Sequence, residues 1–144
     1  MKIVLQRVKN ASVTINSELY SSINQGLLVL IGIEKGDTPI DIEKYSQKIS
    51  KLRIFPDKND KMNLSIQDIS GEILVVSQFT LAGDCKKGTR PSFDKSASPD
   101  EAQNLYNMFI EQLKALGLPV KTGVFGAQMD VALVNDGPVT FILG

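Results

Sequence analysis

The sequence predicts an α+β fold: a layered single domain over residues 1–144, with mixed, largely antiparallel sheets and two main helices. Three observations predict it. Apolar, β-branched runs stand in the middle of the chain, at 26–33 and 73–76, and read as buried strands. Two segments, 38–52 and 98–116, carry apolar residues at helical spacing behind a proline-marked start. The order strands, helix, strand, helix, strands is uninterrupted by any repeat, low-complexity tract or linker, as suits a single unit of ordinary domain length.

Taken in order, residues 2–8 and 12–15 read as two strands of a hairpin or meander, with Asn10 near one turn and Asn16-Ser17 at the next. Arg7 stands among the apolar residues of the first, and on sequence alone it is an edge-strand arginine with its head in solvent. Residues 26–33, apolar at nearly every position, make a third strand buried on both faces. A helix follows. Thr38 can cap it, Pro39 suits its first position, Asp41 places a carboxylate in the first turn, and Ile42, Tyr45, Ile49 and Leu52 form the face that packs on a sheet. Pro56 marks its end or the start of the next loop, residues 57–61 form a charged, solvated turn, and Met62, Leu64 and Ile66 alternate as a short extended piece.

The strand 73–76 is entered from Gly71 and ends in Ser77, Gln78, Phe79 and Thr80. Two hydroxyls, an amide and an aromatic ring at the end of a core strand can build a small polar pocket with a hydrophobic wall. The other reading is that the strand surfaces there with its hydroxyls capping backbone groups, and because pockets are few per protein, spacing alone favours it. Beyond Leu81 the chain turns polar. Lys86, Lys87 and Arg90, interrupted by Gly88, suit a phosphate-contacting loop and equally suit ordinary surface. A second helix begins at Ser98 with Pro99 in first position and Glu101 placed for a capping box; Ala102, Leu105, Tyr106, Phe109, Leu113 and Leu116 face the core, and Gly117 with Pro119 ends it. Residues 130–134 alternate as a strand, and Asn135-Asp136-Gly137-Pro138 reads as a turn into an antiparallel strand at 139–143.

Composition narrows the chemistry. With 42% hydrophobic and 22% charged residues the chain is an ordinary globular protein, and its longest apolar run, 27–33, falls short of the ~18 residues of a spanning helix, so no membrane association is expected. No basic leader with an apolar core opens the sequence, and the lone Cys85 offers no intrachain disulfide, so a cytoplasmic setting is expected and Cys85 is taken as incidental. Sixteen basic and sixteen acidic residues cancel, so a nucleic acid would have to be held by a local patch. The absence of histidine is the most restrictive fact. It removes Ser-His-Asp and Cys-His catalysis, histidine metal sites and the usual near-neutral base, leaving carboxylates, hydroxyls, backbone groups or the substrate itself; no metal or cofactor is expected.

The pieces Gln6-Arg7-Val8, Ala11-Ser12-Val13, Gly26-Leu27-Leu28-Val29-Leu30, Ser77-Gln78-Phe79-Thr80-Leu81, Gly88-Thr89-Arg90-Pro91-Ser92-Phe93, Gly123-Val124-Phe125-Gly126-Ala127 and Asn135-Asp136-Gly137-Pro138-Val139-Thr140, in this order, closely resemble the D-aminoacyl-tRNA deacylase family along the whole chain. The resemblance implies a β/β/α layered, deacylase-type fold and an editing hydrolase. Such an enzyme cleaves the ester between a D-amino acid, or glycine, and the terminal adenosine of tRNA, and rejects L-aminoacyl-tRNA. It implies a homodimer with cross-subunit sites and no DNA partner. The signatures carried over are Ser77, Gln78, Phe79 and Thr80 as the catalytic stretch, and Gly137-Pro138, cis in the family and inserted into the partner's pocket, as the chirality selector. Arg7 then supports that loop, Phe125 and Met129 shape the adenosine pocket, and Lys86, Lys87 and Arg90 contact tRNA phosphates.

The mechanism stays open at this level. Thr80 lacks an evident base and an unactivated hydroxyl is a weak attacker, while Asp84, Asp94 and Asp130 have no spacing that singles one out. Assistance by the ribose hydroxyl vicinal to the ester is the alternative, and the missing histidine agrees with it. Two rival functions also stand: a module that binds RNA ends without chemistry, and a small-ester hydrolase acting directly through Thr80.

Overall fold

In the computed structural model, which describes residues Met1–Gly144, the elements in chain order are β1 (Lys2–Ile15), β2 (Glu18–Ile23), β3 (Gly26–Gly32), α1 (Pro39–Lys51), β4 (Phe55–Pro56), β5 (Met62–Leu64), β6 (Glu72–Ser77), a 3-10 turn (Phe79–Ala82), α2 (Pro99–Ala115), β7 (Val120–Thr122) and β8 (Asp130–Leu143). The expected hairpin break at Asn10 is absent. β1 is one long strand because β8 pairs antiparallel along both of its halves, and a register shift between Val8 and Asn10 absorbs the irregularity. The turn expected at Asn16-Ser17 forms, with φ of 50° and 64°.

On its other edge β1 pairs antiparallel first with β3 and then with β2. The sheet continues from β3 to β6 and from β6 to β7 in parallel pairings. β7 went unpredicted, since its three residues carry no periodicity of their own. The sheet curls until its ends approach: Ser21 Oγ on β2 donates to the Thr122 carbonyl on β7 at 2.7 Å. The result is a mixed α/β fold with two helices, as the element order predicts, and with a nearly closed sheet, which it does not. No helix is long and apolar enough to cross a membrane.

The double burial read from 26–33 has its cause in two cores. Leu27, Val29, Ile31, Ile73 and Val75 face the helices, where Ile42, Ile49, Phe109 and Leu113 are fully buried. Leu28, Leu74 and Val76 point the other way and meet Val8, Ala11, Val13 and Ile23 inside the curl. Each Leu, Ile, Val or Phe side chain among them removed from water contributes about 1.5–3 kcal/mol.

Both helices start as their caps predict. Asp41 accepts from the Thr38 N–H and Oγ at 2.9 and 2.8 Å, bonds that hold its pKa below the usual value. At α2 only half of the expected capping box forms: Ser98 Oγ accepts from the Glu101 N–H at 3.4 Å, without a return bond from the Glu101 carboxylate. Within α1 the buried hydroxyls of Ser46 and Ser50 donate to the carbonyls of Ile42 and Gln47, so the apolar face carries them without an orphaned group. Gly117, at φ +81°, ends the turn after α2.

The Asn-Asp-Gly-Pro cluster does not reverse the chain. Gln6 faces Thr140 and Val8 faces Asn135, so residues 136–139 are a bulge looped out of the continuous β8 opposite Arg7. Turn residues fit here because β1 stays available as partner on both flanks. Asn135 closes the neck. Its Oδ1 accepts from the Val139 N–H at 2.7 Å and its Nδ2 donates to Thr140 Oγ1 at 3.1 Å. The Gly137-Pro138 peptide bond in this bulge is cis.

Candidate functional site

β6 delivers its polar tail to the mouth of a cavity of about 810 Å³. The strand pairs with β3 as far as Ser77–Ile31, and the Gln78 N–H still donates to the Ile31 carbonyl at 2.8 Å. There the chain leaves the sheet as a 3-10 turn, tightened by Leu81 N–H to the Gln78 carbonyl at 3.1 Å. Gly32 permits the close approach, since a Cβ there would stand 2.8 Å from the Gln78 carbonyl oxygen. Ser77, Gln78 and Phe79 therefore line the cavity, whereas Thr80 does not. Thr80 lies exposed beside it, its Oγ1 in contact with the Gln78 amide. The first two N–H groups of such a turn, those of Phe79 and Thr80, have no acceptor within it.

Phe125 and Met129 form part of the opposite wall. Phe125 leans on Tyr106, ring centroids 5.7 Å apart, and Tyr106 is fixed by donating to the Val75 carbonyl at 2.9 Å, its pKa raised by burial. Met129 Sδ accepts from the Val124 N–H at 3.4 Å, and Gly123 leaves it room, because a Cβ there would lie 2.6 Å from the sulfur.

Lys86, Lys87 and Arg90 come together on the loop after the 3-10 turn. They surround a second, wholly polar concavity of about 340 Å³ with Lys95, Asp84, Ser92 and Asp94. The loop is a closed hairpin: Asp84 and Ser92 exchange both backbone hydrogen bonds, at 2.8 and 3.0 Å. Of the carboxylates considered as bases, Asp84 and Asp94 belong to this loop and Asp130 begins β8; none lines the large cavity. Cys85 is exposed on the same loop.

Arg7, Gly137 and Pro138 lie elsewhere. Arg7 pairs with Leu27, four residues along β3 from the Ile31 that pairs with Ser77, or roughly 13 Å at the strand rise. Arg7 is not a solvent-facing edge residue, as the sequence alone suggests. β3 and β8 flank it on both sides, leaving it 8% exposed. Its Nε donates to the Asp136 carbonyl at 3.0 Å and lies 3.4 Å from the Asp136 carboxylate, while its Nη1 donates to the Ile54 carbonyl at 2.6 Å. Gly137 and Pro138, held by this contact, are exposed.

Sequence reading missed the third wall. Phe93 packs at the mouth against Phe79, and Ala97, just ahead of the α2 cap, and Ala102, in the first turns of α2, also line the cavity. The only sequence signal was Phe93 at the end of Gly88-Thr89-Arg90-Pro91-Ser92-Phe93; small residues near a helix start look like packing.

Three comparisons bear on this arrangement. The family model described as D-Tyr-tRNA(Tyr) deacylase matches residues 4–144. The D-aminoacyl-tRNA deacylases of Thermodesulfovibrio yellowstonii and of an Exiguobacterium species are each 57% identical, over 97% and 99% of this chain and 96% and 97% of their own lengths. Among solved structures, one described as a c-Myc DNA unwinding element binding protein superposes with TM-score 0.94 at 44% identity, covering 100% of this chain and 98% of its own. A probable eukaryotic D-amino acid tRNA deacylase superposes with TM-score 0.84 at 16% identity over 99% of this chain and 97% of its own, a likeness of fold.

Proposed function

The chain belongs to the D-Tyr-tRNA(Tyr) deacylase family, and from that premise we propose that its cavity seats the terminal adenosine of a D-aminoacyl-tRNA while the ester is hydrolysed. Water adds to the ester carbonyl carbon and the bond from that carbon to the ribose oxygen breaks. The ribose oxygen takes up a proton, leaving a free amino acid and an uncharged tRNA. The observation that carries this reading is the meeting of Ser77, Gln78 and Phe79 with the apolar walls of Phe125 and Met129, beside a cationic loop.

The chemistry is assisted by the substrate. The one side-chain hydrogen-bond partner of the Thr80 hydroxyl is an amide, and an amide is no base near neutrality whichever way it faces. With no histidine and no carboxylate on the cavity wall, the ribose hydroxyl vicinal to the ester activates or positions the water. Ser77, Gln78 and Thr80 orient adenosine and ester, and the Phe79 N–H at the start of the 3-10 turn meets the developing oxyanion.

Chirality is judged by the 136–139 bulge of a second copy. The bulge is too far from its own cavity to act there, and it rides on the outer edge of β8 beside exposed Val134, Phe141 and Ile142. Two copies joined through this region bring each bulge to the other's cavity. A backbone wall at Gly137-Pro138 then clashes with an L side chain, admits a D one and passes glycine, whose absent side chain it cannot sense.

Incubating the protein with D-tyrosyl-, L-tyrosyl- and glycyl-tRNA tests this, together with its mass in solution. Hydrolysis of the D and glycyl esters by a dimer is expected. Equal binding of both enantiomers without hydrolysis points to a binding module, and equal cleavage of D-amino acid esters lacking ribose points to direct catalysis by Thr80. One observation favours a DNA-binding role instead, the description of the 44%-identical structure. The zero net charge supplies no field for duplex DNA, and inhibition of D-tyrosyl-tRNA hydrolysis by DNA measures any shared surface.

A further inference from the structure

Phenylalanine rings belong in cores, yet two stand in the open at the cavity mouth: Phe79 is 54% and Phe93 38% exposed. They touch each other with ring centroids 5.1 Å apart and planes at 56°. The pair is built firmly. Phe79 opens the 3-10 turn, and Phe93 rests on Gly83, where a Cβ would lie 3.0 Å from the ring. Phe93 also follows directly on Ser92, which closes the 84–92 hairpin and so roots the loop carrying Lys86, Lys87 and Arg90. Both rings line the large cavity, and Ser92 and Asp94, which flank Phe93 in sequence, line the concavity that holds Lys86, Lys87, Arg90 and Lys95 with Asp84; of the loop's cations, none enters an ion pair.

An exposed aromatic step at the mouth of a cavity that can take a nucleoside, next to a basic loop, has the make-up of a single-stranded nucleic acid site, in which bases stack on rings while cations follow the phosphates. We infer that Phe79 and Phe93 form a stacking platform for the unpaired nucleobase that precedes the terminal adenosine. The inference rests on the seating of that adenosine in the cavity. The platform adds a second nucleotide to the recognised substrate and sets the strand's path from cavity to loop. It reads no sequence by itself, since every base has a stacking face.

The test compares D-tyrosyl esters of adenosine and of the dinucleotide CpA, with Phe93→Ala, Phe93→Leu and Phe93→Tyr beside the unsubstituted protein. The ratio of kcat/KM for the CpA ester to that for the adenosine ester should fall about 5- to 150-fold in the Ala and Leu variants, through KM, and be retained in the Tyr variant. A fall on both esters alike overturns the platform, because Phe93 then only shapes the cavity, and so does no fall on either. A shift of the Ala variant from dimer to monomer also overturns it, in favour of a subunit contact. Phe93→Trp places a single indole in a chain that has none, and its fluorescence should be quenched by the trinucleotide CpCpA. If the unsubstituted protein failed to cleave D-tyrosyl-tRNA, the proposed activity would fall, and an unquenched indole would overturn the platform separately.

Discussion

Arg7→Ala is expected to do two separable things. The side chain makes two charge-assisted bonds, to the Ile54 carbonyl at 2.6 Å and the Asp136 carbonyl at 3.0 Å, in a site where it is 8% exposed. Bonds of this kind each contribute about 1.5–3 kcal/mol. Ile54 is buried, so its carbonyl loses its donor outright; Asp136 is partly open and water can replace the lost bond. The net loss of stability is therefore about 2–4 kcal/mol, nearer one strong bond than two. With an m-value of ~2 kcal/mol/M the urea midpoint falls by about 1–2 M. The second effect is on selectivity. The 136–139 bulge loses the one side chain that ties it to β1 from within, so the ratio of D- to L-tyrosyl-tRNA hydrolysis should drop at urea-free conditions where the variant is still folded. Arg7→Lys, which keeps the charge and loses the fork, should fall between the two. An unchanged urea midpoint in the Ala variant would show these bonds to be energetically idle. A lowered midpoint with an intact D/L ratio would refute the loop tether and leave Arg7 a stabiliser of the fold alone.

Thr80→Ala should slow D-tyrosyl-tRNA hydrolysis only modestly, by about 10- to 100-fold, as loss of an orienting contact does; a fall of many thousandfold with tRNA binding intact would mark a protein nucleophile. Replacing Lys86, Lys87 and Arg90 by alanine together should reduce the slope of log K for tRNA against log salt by about 2–3, and an unchanged slope would remove the loop from the interface. Acid stability has a defined sign. The N-terminal ammonium, 2.7 Å from the Glu34 carboxylate, is the main cause holding the Glu34 pKa below 4.5. Its contribution is thus fully present above pH 4.5 and is lost as pH falls through the lower folded-state value. Glu34→Gln should lower stability at pH 7 and flatten its decline below pH 4.5 in thermal melts; an equally steep decline would assign the acid limb to other carboxylates.

Much of this was legible because local chemistry and global fold agree. The start of α1 is written in Thr38, Pro39 and Asp41, and the double burial of β3 is written in an apolar run with no polar face. What failed to show were features decided by partners distant in sequence. Asn10 and the Asn-Asp-Gly-Pro cluster have turn-forming chemistry, and only the continuous pairing of β1 with β8 converts them into register shifts. β7 is a strand because Ile73, Leu74 and Val75 lie beside it. Arg7 reads as solvent-facing until the bulge opposite supplies the Asp136 carbonyl. In the site, Ser77, Gln78 and Phe79 announce themselves by breaking an apolar run, whereas Ala97, Ala102 and Phe93 are ordinary residues made significant by where α2 begins.

The pinched neck of the 136–139 bulge bears on how this protein can be changed. Asn135 and Thr140 stay in register with β1 and are bound to each other across the opening, so the strand pairing does not run through the exposed tip at Gly137 and Pro138, whereas Val139 is buried and the Asp136 carbonyl holds Arg7. On the proposed reading selectivity resides in a small exposed tip: substitutions at Pro138 that keep Arg7, Asn135, Asp136, Gly137, Val139 and Thr140 should yield mostly folded proteins. A lineage could alter which esters it spares there without renegotiating its core.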